Sequence, residues 1–378
     1  MRGNEDDPGR VTVTMNGPMS ELDRIAQELV AQAVAPVAAV GCAWSEGKAG
    51  LRSAVGGAVG TYFDLASLTK PMTAVAVARS GLGDYELAAV MPELSDTQSA
   101  RATIELLLAH RAGLSAHLPL YAPLVNGETV DRTAAVRRAA DARRDDARGP
   151  IPQAGFAPLY SDLGYILAGI ALARHSGHGD AADAVGHFVV EPLGLTSTLG
   201  SARSLEARGV DLVARAAPTE VVAWRGGEVR GRVHDENAWA LTGSGGSGHA
   251  GMFGTVSAVL RFGCAVLDAL AGRVSPLSGR DLGWLVSERP GGTLRAGFDG
   301  KSDQASSAGA RMGPRAFGHL GYTGTSLWID PDASIIAVVL TNRVHPTREN
   351  LAIRSARPWA HDALFSHAEQ MRPRSTVD

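Results

Sequence analysis

The strand patterns of this chain lie at its two ends, and that placement constrains the fold more than any other feature. Residues 37–45 and 51–59 are apolar runs separated by Glu46-Gly47, the pattern of a β-hairpin. Strand character returns near the other terminus, in 325–330 and 334–341, around the turn Asp330-Pro331-Asp332. The patterns between are mainly helical, clearest in 66–80, 102–110, 163–175 and 255–270, with further helices expected at 20–35 and 350–368. An isolated hairpin is marginal in water, so both ends are expected to join one sheet that carries a largely helical insertion. The expected fold class is therefore α/β in the broad sense (α+β). Residues 1–18 read as a disordered leader, and 19–378 as a single unit. Within it, a sheet subdomain is expected at about 19–80 and 255–370, and a helical subdomain at about 81–254.

Composition excludes several functions. The 378 residues are 45% hydrophobic and carry a formal net charge of -3. Without a basic block there is no electrostatic footprint for nucleic acid. The arginine-rich stretch 137–148 is interrupted by Asp141, Asp145 and Asp146 and reads as a solvated face. No apolar run is long enough for a transmembrane helix, and the acidic N-terminus has no signal-peptide core, so a cytoplasmic protein without a membrane partner is expected. Cys42 and Cys264 sit in apolar contexts and read as buried free thiols.

Only three of the 36 basic residues, Lys48, Lys70 and Lys301, are lysine. Lysine can be deprotonated and arginine effectively cannot, so these positions are the first to test for chemistry. Ser-x-x-Lys occurs twice. Ser45-Glu46-Gly47-Lys48 spans the hairpin turn, and turn chemistry explains it. Ser67-Leu68-Thr69-Lys70 opens a helix, where the i,i+3 spacing puts both side chains on one face. A serine hydroxyl needs a neighbouring base, and a partly desolvated lysine near a helix N-terminus favours its neutral form. Lys301 follows Gly300 but lacks the upstream glycine of a phosphate loop, and it reads as a surface residue.

Two further clusters fit the same chemistry. Tyr160-Ser161-Asp162 opens an apolar helix, and a tyrosine hydroxyl beside an ammonium can ionise below its normal pKa and carry protons. The glycine-rich run Gly318-His319-Leu320-Gly321-Tyr322-Thr323-Gly324 allows close approach of a substrate backbone, and an N–H there could join that of Ser67 in an oxyanion hole. Other signals are weaker. The segment 243–248 matches G-x-G-x-x-G without a preceding strand and reads as a flexible loop, and His234-Asp235-Glu236 reads as loop-structuring rather than metal-binding.

Taken in order, Ser67-x-x-Lys70, Tyr160-Ser161-Asp162 and His319-Leu320-Gly321 resemble the three motifs of the penicillin-recognising serine hydrolases. The nearest branch holds the class C β-lactamases, DD-carboxypeptidases and related esterases. Leu107-Leu108-Ala109-His110-Arg111-Ala112-Gly113-Leu114 and Gly248-His249-Ala250-Gly251 are similar to further family stretches. The resemblance implies a β-lactamase/transpeptidase-like antiparallel sheet flanked by helices, with the site between sheet and helical parts. It implies that Ser67 is acylated, that Lys70 and Tyr160 move its proton, and that backbone N–H groups of Ser67 and Tyr322 hold the oxyanion. Asp162, His319, Gly321 and Thr323 would contact substrate, with no metal or cofactor, and the partner would be a small ester, amide or peptide.

Two departures weaken the case for efficient penicillin hydrolysis. Asp162 stands where the pattern usually has Asn, and His319 stands where it usually has Lys; an alternative alignment heads the third motif with Tyr322. The reading is a serine hydrolase favouring esters or peptidoglycan fragments. The alternatives are a class C-like β-lactamase, a sensor that acylates but deacylates slowly, and a noncatalytic scaffold.

Overall fold

A computed structural model describes residues 19–47, 50–278 and 282–372, so the expected leader 1–18 and Lys48 lie outside the described residues. Its strands are β1 (Ala38–Ser45), β2 (Leu51–Gly57), β3 (Phe63–Asp64), β4 (Leu199–Ser201), β5 (Val221–Val222), β6 (Gly227–Glu228), β7 (Met252–Gly254), β8 (Asp299–Gly300), β9 (Phe317–Leu320), β10 (Ser326–Asp330) and β11 (Ile335–Thr341). The two chain ends meet at the centre of a six-stranded sheet ordered β2-β1-β11-β10-β9-β8. Each neighbouring pair runs antiparallel, and Ala38 lies opposite Thr341 while Trp44 lies opposite Ile335.

Alternation explains why β11 is apolar at almost every position. Ile335, Ala337 and Val339 join Val40, Cys42 and Trp44 on one face, beneath the helices Glu21–Ala31 and Ile353–Met371. Ile336, Val338 and Leu340 join Ala39 and Ala43 on the other, against the helix Val256–Leu270. With helices on both faces, neither set of side chains meets water. The Glu21–Ala31 helix starts at Ser20 through a capping box with Asp23 and buries Leu22, Ile25 and Leu29, each contributing about 1.5–3 kcal/mol.

The core under the Val256–Leu270 helix continues without a break into the helical part. There the helix Asp162–Ser176, buried from Leu163 to Leu167 and beyond, packs against Thr69–Ser80 and Ile104–Leu108. The 243–248 segment, expected as a flexible loop, is instead tightly seated. A Cβ on Gly248 would stand 2.1 Å from the Tyr165 carbonyl oxygen, so glycine is needed for the close approach of that segment to the helix. A small sheet is ordered β3-β7-β4, and β3 leads directly into the turn before Ser67. Cys42 and Cys264 are free, and burial pushes both thiols up to about 12. No described helix is long and apolar enough to cross a membrane.

Candidate active site

The chain turns sharply between β3 and the helix Thr69–Ser80. Ala66 has φ of 47°, left-handed backbone that a non-glycine residue rarely adopts and that costs on the order of 1–3 kcal/mol. Buried Asp64 holds the turn: its Oδ1 accepts the Ala66 N–H at 2.8 Å and its Oδ2 accepts the His234 N–H at 2.6 Å. A single 3-10 turn, Ala66–Leu68, follows before the α-helix starts at Thr69. Ser67 therefore lies on the cleft wall with Lys70 directly behind it.

Lys70 is fully buried. Its Nζ stands 2.8 Å from Ser67 Oγ, 2.8 Å from Asp162 Oδ1 and 3.5 Å from the His249 carbonyl oxygen. The Tyr160 ring lies 4.8 Å from the same nitrogen, and Lys70 and Ser67 both act to lower the pKa of its hydroxyl. Burial alone would push the Lys70 ammonium down, but the Asp162 carboxylate and Tyr160 outweigh it, so its pKa lies above the usual lysine range. This reverses the sequence expectation of a neutral-leaning lysine. Tyr160 is likewise raised, because its burial outweighs the pull of Lys70, and it rests as a neutral phenol rather than ionising early.

Asp162 is the reason for the reversal. Expected to face substrate, it lines the cleft but accepts from Lys70 at Oδ1, and its Oδ2 lies 3.7 Å from His117 Nδ1. Burial would lift its carboxyl, yet Lys70 and His117 hold it well below the usual carboxylate range. The bond to Asp162 raises the His117 pKa in turn. Asp162 is also the first residue of its helix, where a negative side chain is favoured, and Ser161 caps that helix through the Gly164 N–H.

The third wall is β9 and the turn after it. His319 donates Nδ1–H to the Leu320 carbonyl oxygen at 2.8 Å, leaving Nε2 as the acceptor, and its ring is 5.9 Å from that of Tyr160. Burial and the Lys70 charge push it down to about 3, so it is a neutral imidazole at neutral pH. Two arginines fix the turn: Arg357 donates to the carbonyls of Gly321 and Thr325, and Arg343 to that of Tyr322. The Gly321 N–H is spent on the Thr325 carbonyl at 2.7 Å. Gly321 thus contributes room rather than a substrate hydrogen bond. Thr323, expected to contact substrate, is buried and donates its hydroxyl to the Asp64 carbonyl at 2.7 Å, so it braces the turn that carries Ser67 instead. Tyr322 lines the cleft with its half-exposed ring under the Arg343 guanidinium.

These walls enclose a cleft of about 690 Å³ that brings together Ser67, Tyr160, Asp162, His319, Gly321 and Tyr322. A Cβ at Gly321 would stand 1.9 Å from Thr325 Oγ1 and 2.6 Å from the Leu65 carbonyl oxygen. Gly321→Ala should therefore cost about 1–3 kcal/mol in thermal unfolding and slow labelling of Ser67 by an acylating probe roughly tenfold or more. Unchanged melting and labelling would mean that the turn yields without effect.

Several residues of the site escaped the sequence reading. His110, within a quoted family-like stretch but given no role, accepts the Ser161 N–H at Nδ1 (3.0 Å) and stacks on Tyr160 at 4.6 Å, fixing the ring from behind. His249 joins Ser247 to Asp235, and Asp235 caps the helix Glu236–Thr242 at the cleft wall. The loop-structuring reading of His234-Asp235-Glu236 agrees with these bonds, although all three residues also line the cleft. Only the histidines of the quoted stretches could have signalled these contacts.

Comparison with known proteins agrees with this geometry. Residues 22–357 match the family model described as Beta-lactamase. A protein of Escherichia coli (strain K12) named as a D-alanyl-D-alanine carboxypeptidase is 28% identical over 205 residues, covering 51% of this chain and 46% of its own length. The chain thus spans about half the length of the curated relatives it matches. Among solved structures, EstCE1, a hydrolase with promiscuous acyltransferase activity, superposes with a TM-score of 0.65 at 20% identity, over 91% of this chain and 97% of its own. A beta-lactamase from Mycobacterium bovis gives 0.55 at 22% identity, over 91% and 99%. At these identities the structural matches establish the β-lactamase/transpeptidase fold.

Proposed function

The chain belongs to the beta-lactamase family, and from that premise we propose a serine hydrolase that cleaves an ester or amide through an acyl-enzyme on Ser67. The observation that carries the reading is the buried Lys70 nitrogen 2.8 Å from Ser67 Oγ, with the Tyr160 ring 4.8 Å from that nitrogen. Ser67 Oγ attacks the substrate carbonyl as its proton passes to the Lys70–Tyr160 pair. Backbone N–H groups of Ser67 and Tyr322 receive the oxyanion. Tyr160 then protonates the leaving group, and water releases the acyl group by the same steps in reverse.

The departures at Asp162 and His319 support an ester or peptidoglycan-fragment substrate over an antibiotic. The Asp162 carboxylate is occupied by Lys70 and offers no amide N–H to an acyl side chain. A neutral His319 gives a substrate carboxylate far less attraction than a lysine would. A panel of a short-chain nitrophenyl ester, a D-Ala-D-Ala peptide, an N-acetylmuramyl peptide and a cephalosporin tests the reading. The ester or a peptide should exceed the cephalosporin in kcat/KM by about 100-fold. A cephalosporin turned over fastest would make the protein a β-lactamase, and labelling without turnover of any substrate would make it a sensor.

A further inference from the structure

Lys70 rests in the protonation state opposite to the one a base requires. An ammonium has three N–H donors, and three acceptors surround Nζ: Ser67 Oγ, Asp162 Oδ1 and the His249 carbonyl oxygen. In that state Lys70 donates to Ser67 and has no lone pair with which to take a proton. Tyr160, a neutral phenol, is too weak a base to take it. Before Ser67 can be deprotonated, a proton must leave Lys70. Among the described residues Asp162 is the one anion in contact with it.

We propose that Asp162 is the proton-accepting partner of Lys70 during acylation, a positioning residue that acts through the lysine. The proposal rests on the acyl-enzyme reading above. As Ser67 Oγ forms its bond to the substrate carbonyl carbon, its proton moves to Lys70 Nζ and one Lys70 proton moves to Asp162 Oδ1. The carbonyl becomes the oxyanion and Asp162 becomes neutral, so the negative charge is transferred and none is created. When the tetrahedral intermediate collapses, Tyr160 gives its proton to the leaving group, Lys70 reprotonates Tyr160, and Asp162 returns its proton to Lys70. The resting charges are restored.

His117 Nδ1 lies 3.7 Å from Asp162 Oδ2. His249 and its partner Asp235 face it from the segment before β7 and from the start of the Glu236–Thr242 helix. His110 and His319 approach from behind Tyr160 and from β9, both neutral at neutral pH. Asp162 Oδ1 and Lys70 Nζ, 2.8 Å apart, can share a hydrogen bond whichever of them holds the proton.

The test is the pH dependence of the rate at which a fluorophosphonate labels Ser67, measured from pH 5.5 to 9 for the wild type, Asp162→Asn and Asp162→Glu. Both sets are repeated in a His117→Asn background, so that the charge of His117 does not set the shape. The resting pair titrates outside this window, so the wild-type rate should be nearly flat. Without the carboxylate, burial of Lys70 is opposed less, its pKa falls, and it must become neutral by itself. Asp162→Asn should then label at least about tenfold more slowly at pH 6, with the gap narrowing as pH rises. Asp162→Glu should recover the flat shape. A wild-type rate that climbs with pH overturns the proposal, even where the Asn variant fails to fold. So does an Asn variant with the wild-type shape, whether at the wild-type rate or uniformly slower, as a purely structural role would give. Labelling absent from the folded wild type, or retained in Ser67→Ala, would instead sink the underlying acyl-enzyme reading.

Discussion

Replacing Ser67 by alanine should abolish labelling by fluorophosphonate and fluorescent penicillin probes and lower turnover of the best substrate by at least roughly 10³-fold. Lys70 cannot take over the acyl bond, because it is fully buried and its nitrogen is held by Ser67, Asp162 and His249. The substitution should leave the fold intact. Ser67 Oγ meets Lys70 and Tyr160 and supports no backbone of the turn, which hangs instead on Asp64 and Thr323. The control is Ser45→Ala. Ser45 ends β1, and its hydroxyl accepts the Gly47 N–H at 3.1 Å, a turn bond remote from the cleft. Its loss should leave labelling at the wild-type rate. Labelling that survives in Ser67→Ala, or disappears in Ser45→Ala, would move the nucleophile elsewhere.

The architecture was legible because sheet patterns obey simple rules. An almost wholly apolar 335–341 with hairpin partners at the opposite end leaves few topologies besides a shared central pair, which is how β1 and β11 meet. The convergence of Ser67, Lys70 and Tyr160 was legible from spacing and residue type. Charge state was not. Whether Lys70 rests neutral or charged depends on a carboxylate 92 positions away in sequence, at the start of a helix whose packing brings it to 2.8 Å. Asp162 therefore read as a substrate contact and Lys70 as a ready base. Thr323 was misread for the same reason: a hydroxyl two residues past a glycine faces either cleft or core, and only the docking of the turn under Asp64 decides it. The seating of 243–248 against the Asp162–Ser176 helix was also invisible, since a glycine-rich run reads the same whether it is loose or pressed against backbone.

Lys70→Arg should fold and lose activity, and Lys70→Met should lose both activity and stability. Arginine keeps the positive charge beside Asp162 but cannot give up its proton, so acylation should fall roughly 10³-fold or more. Its extra bulk in a fully buried position should cost about 1–3 kcal/mol. Methionine fills a similar volume and removes the charge, leaving the Asp162 carboxylate without the partner that holds it ionised. Breaking a buried pair in this way costs on the order of 3 kcal/mol near neutral pH, less where His117 and water reach the part of Asp162 that is open to the cleft. The sign of the pH effect separates this from general damage. In the wild type the folded-state pKa of Asp162 is depressed, so the pair contributes stability above the carboxyl's unfolded pKa of about 3.9 and loses it as pH falls. In Lys70→Met, burial lifts the same carboxyl instead, and protonation relieves the variant. The difference in melting temperature between wild type and Lys70→Met should therefore be widest near pH 7 and narrow on approaching pH 4. A difference that stays constant with pH would show that the methionine acts through packing and that the carboxylate does not depend on Lys70 for its charge.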